Sequence, residues 1–318
     1  MSHFLINKLP VTTHAKSQPW DKFGFSIGTM KNTVNKSIGI ILPIVLFFLF
    51  SYASAQQKQD EPQDAKFYID RGIANGEKGQ FDQAVADFTK ALAIDPKSAG
   101  AYYNRGVAYV KKGEYDWAID DFTKALEIDP KSAGAYYYRG VAYVKKGEYD
   151  WAIADFTKAL EIDPKSADAY YFRGIAYVNK NQHDQAIADF TKALEIDPKD
   201  ASAYYNRGIA YMINGQYEQA IADFNKVLVI DPKSAGAYFN RGVAYGGKGQ
   251  YDQAIADFTK VLAIDPKSAS AYYNRATAYY FKKEYNKSWK DIKQAQDLGH
   301  KIPLNFLENL RKASGRQN

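Results

Sequence analysis

The sequence predicts an all-α solenoid built from helix–turn–helix repeats. Three observations carry this prediction. Asp-Pro recurs at Asp95-Pro96, Asp129-Pro130, Asp163-Pro164, Asp197-Pro198, Asp231-Pro232 and Asp265-Pro266, always at an interval of 34 residues. Each interval holds two runs with helical spacing, separated in most cases by glycine. Neither run can bury its apolar stripe alone, so neighbouring units must stack.

Composition narrows the class further. Of 318 residues, 46% are hydrophobic and 25% charged, as in globular chains rather than disordered ones. There are no cysteines, which excludes disulfides, Cys-ligated zinc, iron–sulfur clusters and Cys nucleophiles. The formal net charge is +6. Residues 1–55 hold five Lys and one Asp, so most of that charge sits there. The rest of the chain is almost balanced and gives no electrostatic argument for nucleic acid.

The N-terminal segment reads as a targeting signal. Ile38 to Phe50 contains no charge, Lys31 and Lys36 precede it, and Ala53-Ser54-Ala55 follows it. That is the basic, apolar and small-residue layout of a secretory signal. The apolar run is short for a bilayer, which takes about 20 residues to span. A start at Met30 makes 30–55 the signal, cleaved after Ala55, and leaves 1–29 upstream of the true start. An uncleaved membrane anchor over 38–53 is the alternative. Residues 56–64 read as a polar linker.

Six gapless units follow at 65–98, 99–132, 133–166, 167–200, 201–234 and 235–268, with a drifted seventh at 269–302. In the second unit Tyr102, Arg105, Gly106 and Tyr109 form one stripe of a first helix. Gly113 ends it, because a left-handed residue past a helix end favours glycine. The equivalents are Gly79, Gly147, Gly215 and Gly249, with Asn181 in the fourth unit. Asp116 is the expected cap of the second helix. The apolar stripe of that helix is Ala118, Ile119, Phe122, Ala125 and Leu126, and Pro130 stops it. Gly72, Gly106, Gly140, Gly174, Gly208 and Gly242 all sit inside first helices, where glycine costs about 1 kcal/mol. Close approach of the partner helix at Ala118 and its equivalents is the expected compensation.

Charged residues keep the same phase. Arg71, Arg105, Arg139, Arg173, Arg207, Arg241 and Arg275 are each followed sixteen residues later by Asp87, Asp121, Asp155, Asp189, Asp223, Asp257 and Asp291. A guanidinium on a packed stripe requires a paired carboxylate, so a structural Arg–Asp ladder is expected. The alternative is a basic stripe for ligand carboxylates. The seventh unit carries Ala276 for Gly, Ser288 for Ala and Ile292 for Phe. After it, 303–313 reads as a capping helix with Leu304, Leu307 and Leu310 covering the last unit. In the first unit Asn75 replaces the expected Tyr.

With Tyr136, Gly140, Tyr143, Ala152, Phe156, Ala159 and Pro164 in the third unit, the chain resembles a tetratricopeptide repeat protein. The resemblance covers 65–302. One departure is uniform: Arg precedes the glycine where the family usually has Leu. This Asn-Arg-Gly variant resembles a bacterial-type subgroup. The expected fold is an all-α, right-handed superhelical solenoid of seven units with a C-terminal capping helix.

Enzyme signatures are missing from the sequence. His183 fills a turn position and His300 lies at the decayed end. Gly246-Gly247-Lys248-Gly249 has no Gly-Lys-Ser/Thr phosphate loop and reads as helix termination. There is no metal-ligand spacing. The expectation is a non-catalytic protein with no cofactor and no metal.

The resemblance implies that first helices line a concave groove. One row there is Ile69, Tyr103, Tyr137, Tyr171, Tyr205, Phe239 and Tyr273, and one turn on run Ile73, Val107, Val141, Ile175, Ile209, Val243 and Thr277. These rows would make an aromatic binding surface, or alternatively pack between neighbouring first helices. Beside them lie Asn104, Asn206, Asn240 and Asn274, with Tyr138 and Phe172 interrupting. In some relatives an Asn ladder at this phase grips peptide backbone; solvated Asn is the alternative. The family's carboxylate clamp lacks its basic side chains here. Lys111-Lys112, Lys145-Lys146 and Lys282-Lys283 suit helix C-termini.

The expected function is a protein-interaction scaffold, exported to a bacterial periplasm, that binds a peptide or protein segment in the groove. Two alternatives stand beside it. One is self-association or membrane-complex assembly through the convex face or the ends. The other is cell-wall glycan binding through the aromatic row. Membrane contact is expected only through the N-terminal segment. The sequence sets no oligomeric state and names no partner.

Overall fold

The computed structural model describes residues 64–316. The expected signal over 30–55, the alternative anchor over 38–53, the stretch 1–29 and nearly all of the linker lie outside the described residues. Among those described, fifteen α-helices follow one another. They pair as α1 (Ala65–Glu77) with α2 (Phe81–Ile94), α3 (Ala99–Lys112) with α4 (Tyr115–Ile128), and α5 (Ala133–Lys146) with α6 (Tyr149–Ile162). Then come α7 (Ala167–Asn179) with α8 (His183–Ile196), α9 (Ala201–Ile213) with α10 (Tyr217–Ile230), and α11 (Ala235–Gly247) with α12 (Tyr251–Ile264). The last pair is α13 (Ala269–Phe281) with α14 (Tyr285–Asp297), followed by α15 (Leu304–Ser314).

Local chemistry fixes the starts of most first helices and the turns that follow them. Ser98, Ser132, Ser166 and Ser234 accept from the backbone N–H three residues on and so cap first helices. Asp200 does the same in the fifth pair. Gly113 and Gly147 take φ of 79° and 80°, in the left-handed region. Asn181 takes it too, at 57°, and so does Lys283 at 64°. The Asp-Pro junction has its own logic. A residue before proline is pushed to extended backbone, and Asp129 sits at φ −124°, ψ 89°. Its carboxylate then accepts from Lys131 N at 3.1 Å, closing the turn.

Asp116 does not cap α4. Glu114 stands at that position without a side-chain bond, and Asp116 lies inside the first turn. Its charge still suits the positive helix end.

Each helix packs on the one before and the one after, and first helices of neighbouring units also touch. That is the contact pattern of a solenoid. Ala118, Phe122, Ala125 and Leu126 are buried, as are their equivalents in most units. Ile119 is only half-buried.

The helix glycines make room for a ring rather than for Ala118. A β-carbon placed at Gly106 would lie 2.8 Å from Cε1 of Phe122, and the other five glycines meet Phe88, Phe156, Phe190, Phe224 and Phe258 in the same way. Both phases change together in the last unit, where Ala276 faces Ile292, and both are fully buried. Ser288, also buried, donates to the Ala276 carbonyl at 2.8 Å.

The two ends differ. At the N-terminal end Phe67 stands where the other units have an alanine, such as Ala101, at 0% exposure. Arg71 lies over the rings of both Phe67 and Tyr68. At the C-terminal end Leu310 is fully buried and Leu307 half-buried against Ala276 and Ile292. Leu304 is 76% exposed, contrary to expectation. It opens α15 just after Pro303 and projects off the end, while Ile302 and Phe306 complete the covering stripe.

Candidate functional site

The first-helix rows were the candidate site, and their rings are held in place by specific neighbours. Ile69, Tyr103, Tyr137, Tyr171, Tyr205, Phe239 and Tyr273 are all half-buried. Each ring packs its inner edge on the core: Tyr103 on Phe122, Tyr137 on Phe156, Tyr171 on Phe190 and Tyr205 on Phe224, with centroids 5.8–6.0 Å apart. Packing between first helices and a half-exposed surface therefore coexist in the same side chains.

Beside this row, the residue 35 positions further on completes each ring's environment. Tyr138 meets Tyr103 edge-on at 5.9 Å, and Phe172 meets Tyr137 at 5.9 Å. Where the next unit carries Asn, the contact becomes a hydrogen bond. Asn206 Nδ2 donates to the Tyr171 hydroxyl at 3.1 Å, and Asn240 Nδ2 donates to the Tyr205 hydroxyl at 2.9 Å. Asn104 follows Ile69 and Asn274 follows Phe239, which offer no hydroxyl. Those two amides turn to their own helix, at Gly100 O and Ser270 O.

This changes what the Asn residues can do. Asn206 also donates to Ser202 O at 2.9 Å, so both its amide hydrogens are engaged. It retains only a carbonyl oxygen for a ligand, and a paired grip on peptide backbone from this residue is unavailable without rearrangement. Burial raises the phenol pKa of Tyr103, Tyr171, Tyr205 and Tyr273, so these groups stay protonated. Burial, with a contribution from Asp168, does the same for Tyr137.

Two depressions repeat along this face. One, of about 300 Å³, lies between Gly100, Tyr103 and Gly134. The other, of about 210 Å³, lies one unit on, between Gly134, Tyr137, Asp163 and Asp168.

The Arg–Asp pairs form a second system. Arg139 Nε and Nη2 donate to the two carboxylate oxygens of Asp155 at 2.7 and 2.8 Å. The same bidentate pair occurs at Arg71–Asp87, Arg105–Asp121, Arg173–Asp189, Arg207–Asp223, Arg241–Asp257 and Arg275–Asp291. All seven Asp are buried. The third nitrogen of Arg139 reaches Thr123 Oγ1 of the preceding unit at 2.9 Å. Thr89, Thr157, Thr191 and Thr259 serve the other units, with Asn225 in one. Six of the seven arginines thus join two units, Arg71 being the exception, and burial keeps the paired carboxylates from an outside ligand.

A third system was not foreseen. Lys112, Lys146, Lys180, Lys248 and Lys282 reach back 30 residues to Asp82, Asp116, Asp150, Glu218 and Asp252. Asn214 to Asp184 and Arg316 to Asn286 continue the series. Its sequence signal is an acid in the first turn of a second helix and a cation 30 positions later.

Exposed aromatics also lie on second helices. Trp117 and Trp151 are 62% and 65% exposed, each stacked against a tyrosine of its own unit, Tyr109 or Tyr143. His183 and His300 are far apart in the array, and His300 packs on Tyr273 with centroids 4.9 Å apart. Among the described residues no group of three or more metal-ligating side chains comes together. No helix among them is long and apolar enough to cross a membrane.

Comparison with known proteins agrees with this geometry. A family model described as tetratricopeptide repeat matches residues 99–132, 133–166, 201–234 and 235–268. Two related models match 76–113 with 174–215, and 156–188. The solved structure of YrrB, described as a TPR protein with an unusual peptide-binding site, is 31% identical. The match covers 58% of this chain and 95% of YrrB, with a TM-score of 0.54. The chain belongs to the tetratricopeptide repeat family. Its array is also similar to the MamA protein, at 31% identity over 55% of this chain and 96% of MamA, TM-score 0.52. A tetratricopeptide repeat protein from Parabacteroides merdae shares the fold at 24% identity, over 79% of this chain and 99% of that one, TM-score 0.56. No curated protein matches the chain. Tetratricopeptide arrays are in general non-enzymatic interaction scaffolds, and the fold and its neighbours support a protein-interaction role for this one.

Proposed function

We propose that the array is a non-catalytic adaptor that binds an extended protein segment along the Tyr103–Tyr273 row, in the concave groove. The carrying observation is a row of rings fixed from below by the core and from the side by Tyr138, Phe172, Asn206 and Asn240. Pre-organised aromatics lose little entropy on binding, which is why such residues dominate recognition surfaces. YrrB, described by its peptide-binding site, lends family support. Export through the 30–55 signal, with residues 38–53 as the alternative anchor, belongs to the same reading.

The test is affinity capture from the source cell envelope, comparing the wild-type chain with Tyr137→Ala/Tyr171→Ala checked for folding by circular dichroism. A partner lost in the folded double variant supports the groove. Equal capture by both proteins overturns it. A second reading, assembly through another face, is favoured by the exposed Trp117 and Trp151 on the second helices.

A further inference from the structure

The groove surface has a polarity that points to its ligand. Tyr171 and Tyr205 each receive an amide hydrogen from Asn206 and Asn240. A hydroxyl that accepts in this way directs its own hydrogen elsewhere. Among the described residues the recorded hydrogen bonds at the Tyr171 and Tyr205 hydroxyls are the ones they accept. From Tyr103 to Tyr205 the row therefore offers O–H donors in four consecutive units to whatever lies on it. A ligand with bare carbonyl acceptors and few N–H donors complements such a row.

Spacing adds a second constraint. First helices of neighbouring units are in contact, and packed helices lie about 8–10 Å apart. A polyproline II segment advances about 3.1 Å per residue with three residues per turn, or about 9 Å per turn. One turn of such a segment spans one unit. Its carbonyls are unpaired and point outward, and its proline rings stack on aromatic faces. The depressions beside Tyr103 and Tyr137 recur with this period. Gly134 lines both, and a β-carbon there would come within 3.3 Å of the Tyr103 hydroxyl.

Charge supplies a third constraint. The depression at Tyr137 carries Asp163 and Asp168, whereas the one at Tyr103 carries Asp129 alone. Asp168 is exposed and makes no ion pair with a lysine or arginine among the described residues. It complements a cation on the ligand.

We infer that the groove of this array takes a proline-rich segment in the polyproline II conformation, with a basic residue placed near Asp168. This rests on the groove reading above and narrows it to one ligand class.

The test is fluorescence anisotropy with the full chain and three labelled peptides of equal length. They are an oligoproline ending in arginine, a Gly/Ser-rich peptide ending in arginine, and an amphipathic helical peptide. The oligoproline is expected to bind and the Gly/Ser peptide to bind at least about tenfold more weakly. Tyr137→Ala is expected to weaken the oligoproline about tenfold. Tyr171→Phe/Tyr205→Phe keeps the rings and removes only the hydroxyls, so it stays folded. It is expected to weaken the oligoproline by about tenfold. Asp168→Asn is expected to weaken the arginine-ended oligoproline about two- to fivefold and to leave one ending in glycine unchanged. Tyr-dependent binding of either other peptide, with none of the oligoproline, overturns the proline proposal while the groove reading stands. Binding that ignores all three tyrosines overturns both. Absence of binding by every peptide overturns the proposal, and the capture experiment then decides the groove separately.

Discussion

Gly140 lies directly beneath the ring of Phe156, so closely that a β-carbon there would sit 2.8 Å from Cε1. Phe156 is fully buried and cannot swing away. Gly140→Ala therefore gains about 1 kcal/mol of helix propensity but overpacks the core by about 1–3 kcal/mol. The expected result is a net loss of stability in urea denaturation. Adding Phe156→Ile is expected to recover most of it, because the chain already uses the pair Ala276–Ile292 in its last unit. If the double variant melts below the single one, the close approach is not what selects glycine.

Arg139 and Asp155 test a different kind of interaction. The carboxylate is buried and held by two nitrogens, while the third nitrogen bridges to Thr123. Asp155→Ala leaves a guanidinium partly buried without its partner, at a cost of about 3–5 kcal/mol. Arg139→Met with Asp155→Leu removes both charges and is expected to be nearer wild type. By contrast Lys146→Ala, at an exposed pair with Asp116, is expected to leave the melt unchanged. Equal melts for Asp155→Ala and wild type would contradict a structural role for the pair.

The same contrast explains what the sequence made legible. The 34-residue period, the Gly113 and Gly147 stops, the Asp-Pro turns and the Arg–Asp phase are all single-residue signals that repeat, so they can be read directly. The partner of Gly140 was misread because sequence spacing places Ala152 and Phe156 on one stripe without saying which side chain points at the glycine. Asp116 was misread as a cap because the true cap position, Glu114, makes no side-chain bond and so leaves no signal. In the candidate site, the rows of Tyr and Asn were visible but their coupling was not. Whether an Asn donates to a hydroxyl depends on the residue 35 positions earlier, and only Tyr171 and Tyr205 pair with an Asn in this way.

His300 gives a prediction in pH. It packs against Tyr273, and burial lowers its pKa from the usual histidine value of 6.5. The folded state therefore prefers the neutral ring. Its contribution is present above 6.5 and is lost as pH falls through the lowered folded value. The protection of α15 amides, relative to their intrinsic exchange at each pH, is expected to fall as pH drops below 6.5. His300→Phe keeps the stacked ring without a titrating group, so its exchange is expected to change less over the same range. Identical pH profiles for the two proteins would remove His300 as the cause.

Trp117 and Trp151 separate the groove from the second helices. Four of the other five units carry Gln83, Gln185, Gln219 and Gln253 at this phase, with Lys287 in the last, so glutamine is already compatible with the local fold. Both indoles are largely exposed, and their removal takes away little buried surface. Trp117→Gln/Trp151→Gln is expected to melt within about 0.5 kcal/mol of wild type. Before substitution, their emission is expected to be solvent-like and open to acrylamide quenching, against a more protected Trp289, whose Nε1 donates to Ser314. A partner bound along the Tyr103–Tyr273 row leaves that quenching unchanged and is retained by the double glutamine variant. A partner that shields the indoles, and is lost in the variant, places recognition on the second helices instead. The tyrosine variants and the tryptophan variants thus give opposite patterns for the two surfaces, and one capture experiment run with both decides between them.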